Sequence, residues 1–164
     1  MTSTMWTRRS AFFGALALVT ALGLAPAAHA DGVPFGMSYR GTFTPLQPFP
    51  TPPVFTTTDT LNGVGTRLGQ FTGTYPHTLN LATGSFGGRA TFTAANGDKL
   101  LIQLGGSGSP TSATTFNITL QGTITGGTGR FQGASGSVAG SGTVNLGTDP
   151  GEVSATLLGQ INLS

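Results

Sequence analysis

The sequence predicts an all-β domain, an eight-stranded antiparallel up-and-down β-barrel, with a two-sheet β-sandwich as the runner-up. Three observations carry that expectation. Apolar and polar residues alternate with period two in segment after segment, the pattern of strands with one buried face. Glycine is abundant, 27 of 164 residues, and each internal glycine costs a helix about 1 kcal/mol relative to alanine. Short turn-forming clusters separate the segments, which suits antiparallel neighbours rather than crossover helices. At eight strands a barrel interior is just filled by side chains or holds one small ligand.

Residues 1–30 stand outside that domain. Arg8 and Arg9 precede the apolar stretch from Ala11 to Leu24, and Ala28-His29-Ala30 supplies the small-x-small pattern of a secretory cleavage site. The expectation is a signal peptide cleaved after Ala30, leaving 31–164 as a single secreted or periplasmic domain. The apolar run is shorter than the ~20 residues of a membrane span, so no span is expected after its removal. Arg8-Arg9 with Ser10-Ala11-Phe12 faintly resembles a twin-arginine signal, but an ordinary Sec leader accounts for it more simply.

Beyond the leader, Arg40, Arg67, Arg89, Lys99 and Arg130 balance Asp31, Asp59, Asp98, Asp149 and Glu152. A near-neutral domain offers no electrostatic footprint for nucleic acid. The chain has no cysteine, so an exported fold must hold by packing and hydrogen bonds alone.

The strands follow in order. Met37, Tyr39, Gly41 and Phe43 share one face of the first, with Ser38, Arg40 and Thr42 opposite. Leu46 to Pro53 carries four prolines and reads as an extended connection or a lid over one end. Val54 to Thr60 is a threonine-rich strand, with a turn expected at Asn62-Gly63. From Thr66 to Tyr75 the phase puts Arg67, Gly69, Phe71, Gly73 and Tyr75 together, before Pro76 interrupts the ladder. Thr83-Gly84 turns into Phe86–Ala94, and Asn96-Gly97-Asp98 is a type I′ hairpin signal leading to Leu100, Ile102 and Leu104. Gly105 to Ser112 reads as a flexible loop. Thr115 to Thr125 is the cleanest alternation, with Phe116, Ile118, Leu120, Gly122 and Ile124 inward. Val138 to Leu146 and Val153 to Ile161, separated by Asp149-Pro150-Gly151, complete the eight.

The usual catalytic constellations are missing. His77 is the single histidine after the leader, so a multi-histidine metal site is excluded, and no metal or cofactor is expected. Asp98 and Asp149 sit where turns favour them. No G-x-S-x-G elbow, P-loop or dinucleotide fingerprint occurs. No catalytic residue is assigned, and an enzyme is not the favoured reading. Tyr39, Arg67, Phe71, Tyr75 and His77 are left as candidate walls and polar handles of a pocket at the barrel mouth. The alternative makes the aromatics core and lets Arg67 and His77 reach solvent. Inward glycines either empty a cavity or permit strong coiling of the sheet.

Between the sixth and seventh full strands lies Gly126 to Gly136, G-G-T-G-R-F-Q-G-A-S-G. Gly126, Gly127, Gly129 and Gly136 are read as turn residues, with Phe131 plugging core at one barrel end and Arg130 as a solvated charge. The stretch resembles the G-G-[ST]-G-x-F-x-x-A-x-G signature of the allene oxide cyclase and dirigent barrels, a calycin-like superfamily. Gly84 to Gly88 and Ala90 to Asp98 are similar to a strand pair in uncharacterised secreted bacterial proteins of that kind. The resemblance implies an eight-stranded barrel with an apolar cavity, often a homotrimer. It also implies a cyclase-like or dirigent-like steering activity as an alternative. It transfers no catalytic residue, and the barrel-mouth acids those enzymes use have no evident equivalent here. The leading expectation is therefore a non-catalytic barrel that binds a small apolar or aromatic ligand. A structural envelope or matrix protein is the third reading.

Overall fold

A computed structural model describes residues 32–49 and 51–164; the expected signal peptide lies outside the described residues. The strands are β1 (Val33–Phe43), β2 (Gln47–Pro48), β3 (Val54–Gly65), β4 (Gly69–Asn80), β5 (Ser85–Ala94), β6 (Lys99–Pro110), β7 (Thr115–Gly127), β8 (Ser135–Asn145) and β9 (Gly151–Asn162). From β3 to β9 each strand pairs antiparallel with the next, and β1 pairs with both β9 and β3. That double pairing closes an eight-stranded up-and-down barrel. The ninth strand, β2, is a two-residue extension that continues the line of β1 along β3, pairing Gln47 with Thr56.

Closure removes every long free edge, which a charge-poor sheet would otherwise expose to aggregation. Inward residues make one core, including Phe35, Met37, Leu61, Phe92, Leu100, Ile102, Leu120, Ile124 and Leu157. The outward phase is hydroxyl-rich, with cross-strand pairs such as Ser38–Thr156 at 3.0 Å, Ser107–Thr119 at 3.1 Å and Thr143–Ser154 at 3.0 Å. Apolar inside and polar outside is the reverse of the arrangement by which a barrel meets lipid.

Three strand boundaries differ from expectation. Asn62-Gly63 is not a turn: Gly63 pairs with Tyr39 on β1 and with Phe71 on β4, so β3 runs straight through. Gly105 to Pro110 is not a loop but the second half of β6, paired with β7 throughout and with β5 as far as Ser107. Gly106 is demanded by its neighbours: a Cβ there would stand 2.9 Å from the Phe86 ring. The third turn instead falls at 66–68, where Arg67 takes φ of 68°. That left-handed residue resets the alternation, so Leu68 is buried and Arg67 exposed, the opposite of the predicted phase. Pro76 breaks only one ladder. It remains opposite Thr58 on β3, while pairing to β5 lapses between Thr74 and His77.

The two barrel ends are unlike. One carries the β3–β4, β5–β6 and β7–β8 turns. There Gly126 to Gly136 finishes β7, forms a short 3-10 turn (Gly129–Phe131) and opens β8. Phe131 is fully buried at that end, as predicted, together with Leu68 and Ala134. The turn is laced to the Asn-Gly hairpin: Lys99 N donates to Thr128 Oγ1 at 3.0 Å, and Thr128 N donates to Lys99 O at 2.8 Å. Arg130 has an acidic partner after all, Asp98, with Nε 3.7 Å from Oδ2. The other end, bearing the β1–β3, β4–β5, β6–β7 and β8–β9 links, is open.

Candidate functional site

Strand geometry makes the open end. Among the described residues the links there carry no buried plug comparable to Phe131, so inward side chains near the strand ends line a space instead of filling it. The result is a cavity of about 110 Å³. Its walls are mostly apolar, with Phe43, Leu79, Phe86, Phe116, Ile118 and Val153 among them. Leu81 and Leu146 sit at the lip and are partly solvent-exposed. For scale, a dry engineered cavity of ~150 Å³ accepts benzene.

Four titratable side chains converge deeper in: Tyr39 from β1, Asp59 from β3, and Tyr75 and His77 from β4. The register explains the meeting. Asp59 lies directly opposite Tyr75 on β4 and opposite Phe43 on β1, while His77 lies opposite Thr57. Tyr75 donates its hydroxyl to the Leu104 carbonyl at 2.9 Å, reaching past β5. The rings of Tyr75 and His77 stack at 4.3 Å and 18°. His77 Nδ1 stands 3.1 Å from the Tyr75 carbonyl. A carbonyl only accepts, so that contact places the imidazole proton on Nδ1 and leaves Nε2 as an acceptor.

Asp59 is only 6% exposed, and no described residue donates a hydrogen bond to its carboxyl. Burial pushes its pKa up to about 7. Burial likewise lowers the pKa of His77, against the opposing hydrogen bond that its ring donates to the Tyr75 carbonyl. His77 Nδ1 and Asp59 Oδ1 are 3.8 Å apart, close enough for an ion pair. Both groups are nevertheless driven toward their neutral forms by desolvation, so near neutral pH this is a contact between weakly charged partners and not a strong salt bridge. Burial also raises both tyrosines, and the nearby Asp59 charge adds to the effect.

Three of the five predicted pocket residues meet here: Tyr39, Tyr75 and His77. Two do not. Phe71 packs in the filled half, edge-on to Phe92 at 5.4 Å and 82°. Arg67 stands in the exposed 66–68 turn at the opposite end. Extending one alternation across the turn misplaced Arg67, whereas Phe71 is inward in phase with Tyr75 but lies nearer the closed end. Asp59 and Thr57, the buried polar residues of the site, carry no motif. Their signal is weaker: an aspartate inside a strand, in phase with Leu61, where aspartate is disfavoured. Asp59 is also a barrel acid that no motif match revealed.

The inward glycines did not empty the cavity. At Gly73 and Gly122 a Cβ would come within 2.9 Å and 2.8 Å of Phe92 and Ile102 side chains, so that space is already occupied. Among the described residues no cluster of three or more histidine, cysteine or acidic side chains could hold a metal. No helix there is long and apolar enough to cross a membrane. Comparison of the chain with protein-family models, curated proteins and solved structures gave no match.

Proposed function

We propose that this chain is an exported β-barrel that takes a small apolar or aromatic molecule into its open end. The single observation that carries the reading is the apolar cavity at one barrel end, set against a filled opposite end. Ligand sites are typically concave and mostly apolar, with few polar groups that fix orientation. Tyr39, Asp59, Tyr75 and His77 fit that description.

The test is a titration of the folded protein with an environment-sensitive apolar dye. Saturable binding at one site is expected. Tyr39 and Tyr75 are the chain's two tyrosines, and both line the cavity, so the tyrosine spectrum should change in step. A flat titration with the folded protein refutes the reading.

A second reading is favoured by the placement of Asp59 and His77. A carboxyl poised near neutrality beside an imidazole is a proton-transfer group, as a cyclase-like or dirigent-like barrel would need. That reading requires the product stereochemistry to change when the protein meets an allene-oxide or coniferyl-radical substrate; an unchanged racemic product removes it. Homotrimer assembly rests on the family resemblance alone, and native mass spectrometry reads it directly.

A further inference from the structure

We propose that the cavity ligand is a protonated amine on a small apolar body, with its ammonium held by the Asp59 carboxylate beside the Tyr39 and Tyr75 rings. The inference rests on the reading of the cavity as a ligand site and adds the ligand's chemical class.

Four observations converge on it. First, Asp59 is more than nine-tenths buried and lines the cavity, yet no described side chain or backbone N–H donates to it. A carboxylate in that position is stabilised only if something else brings the positive charge. Second, His77 does not bring it. Its Nδ1 proton points to the Tyr75 carbonyl at 3.1 Å, and burial favours the neutral ring. Third, among the described residues no lysine or arginine lines the cavity. An anionic head group such as a fatty-acid carboxylate would therefore meet only a like charge. Fourth, the remaining wall is apolar and includes two tyrosine rings, whose faces attract cations. The Tyr39 hydroxyl, with no hydrogen-bond partner among the described residues, is available to the same head group. The volume of about 110 Å³ suits one ring-sized body.

The titratable groups facing Asp59 are Tyr39 on β1 and Tyr75 and His77 on β4. The tyrosines stay protonated throughout the physiological range. Amine binding selects the ionised carboxylate, so it should weaken by about tenfold for each pH unit below the Asp59 pKa near 7.

Benzylamine and benzyl alcohol make a matched pair, alike in body and different in charge. Isothermal titration calorimetry of the full chain at pH 8 should show benzylamine binding at least about tenfold more tightly. In Asp59→Asn, which keeps the shape and removes the charge, the ratio of the two affinities should collapse toward one. Benzyl alcohol binding as tightly as benzylamine to the unmodified chain overturns the amine assignment and leaves the cavity reading standing. An amine preference that persists in Asp59→Asn overturns it too, because the charge then lies elsewhere. Failure of both compounds and of the apolar dye removes the cavity reading, and the amine assignment with it.

Discussion

Asp59 works against the fold that contains it. Its carboxyl titrates in the folded state near 7, against about 3.9 in an unfolded chain. Between those values the folded state binds more protons than the unfolded state, so this group lowers stability as pH rises from about 4 to about 7. Above pH 7 the full penalty applies, on the order of 4 kcal/mol for a shift of that size. His77 acts in the opposite sense. Its folded pKa is depressed, so its contribution is present above the unfolded value of about 6.5 and is lost as pH falls below it. The two slopes oppose each other in the intact protein, and a comparison with Asp59→Asn separates them. That variant should melt several degrees higher than the parent at pH 8, with the gain shrinking toward zero at pH 4. Thermal melts followed by circular dichroism measure it; an equal gain at both pH values would mean that burial does not perturb the carboxyl. A destabilising buried acid in an open cavity accords with the proposed role of that cavity as a ligand site. Tyr39 and Tyr75 were legible from alternation alone because aromatics on an apolar phase point inward. Asp59 was not, since a lone acid in a strand acquires meaning only when the register sets it opposite Tyr75.

At the scale of elements, the glycine-rich turn and the lip of the open end do different work. Gly129 takes φ of 57°, and a Cβ there would run into the Asp98 carboxylate. Gly129→Val should therefore cost about 2 kcal/mol or more through backbone strain and displacement of Asp98. A denaturant midpoint equal to that of the parent would show that the turn tolerates another backbone conformation. At the lip, Thr57 donates to the Thr44 carbonyl at 2.7 Å, and Thr44 Oγ1 accepts from Thr58 N at 3.1 Å. These bonds hold the chain where β1 gives way to β2, next to Leu46 on the cavity wall. Thr57→Val leaves the shape and removes the donor, which should cost about 1 kcal/mol. Amide exchange should accelerate at Phe49, whose N–H bonds to Val54 O, while the core strands keep their protection. Elements with strict alternation, such as β7, were legible in the sequence for a physical reason: four of its five inward residues, Phe116, Ile118, Leu120 and Ile124, are large and apolar. β6 was cut short because its second half is Gly105-Gly106-Ser107-Gly108. Gly106 has to be glycine because the Phe86 ring and the Thr119 backbone occupy the space a Cβ would need. That reason lies on neighbouring strands and is invisible locally.

The whole molecule is a barrel filled at one end and hollow at the other, with no disulfide to share the load. Closure follows from β1 pairing with β9 on one side and β3 on the other, a long-range match that period two suggests but cannot specify against a sandwich. The asymmetry has an energetic consequence. At the filled end Phe131 is fully buried, and its truncation leaves a void that rigid strands cannot collapse, so Phe131→Ala should cost ~3–5 kcal/mol. Phe116 is also aromatic and inward, but it lines the cavity and is only partly buried. Removing it enlarges a space that already exists, and Phe116→Ala should cost clearly less, about 1–2 kcal/mol. Urea unfolding of both variants gives the comparison. The mouth variant should pair its small loss of stability with a large change in dye affinity, and the plug variant the reverse. Equal destabilisation by the two substitutions would mean that the open end is as tightly packed as the closed one, and that the cavity does not persist in solution.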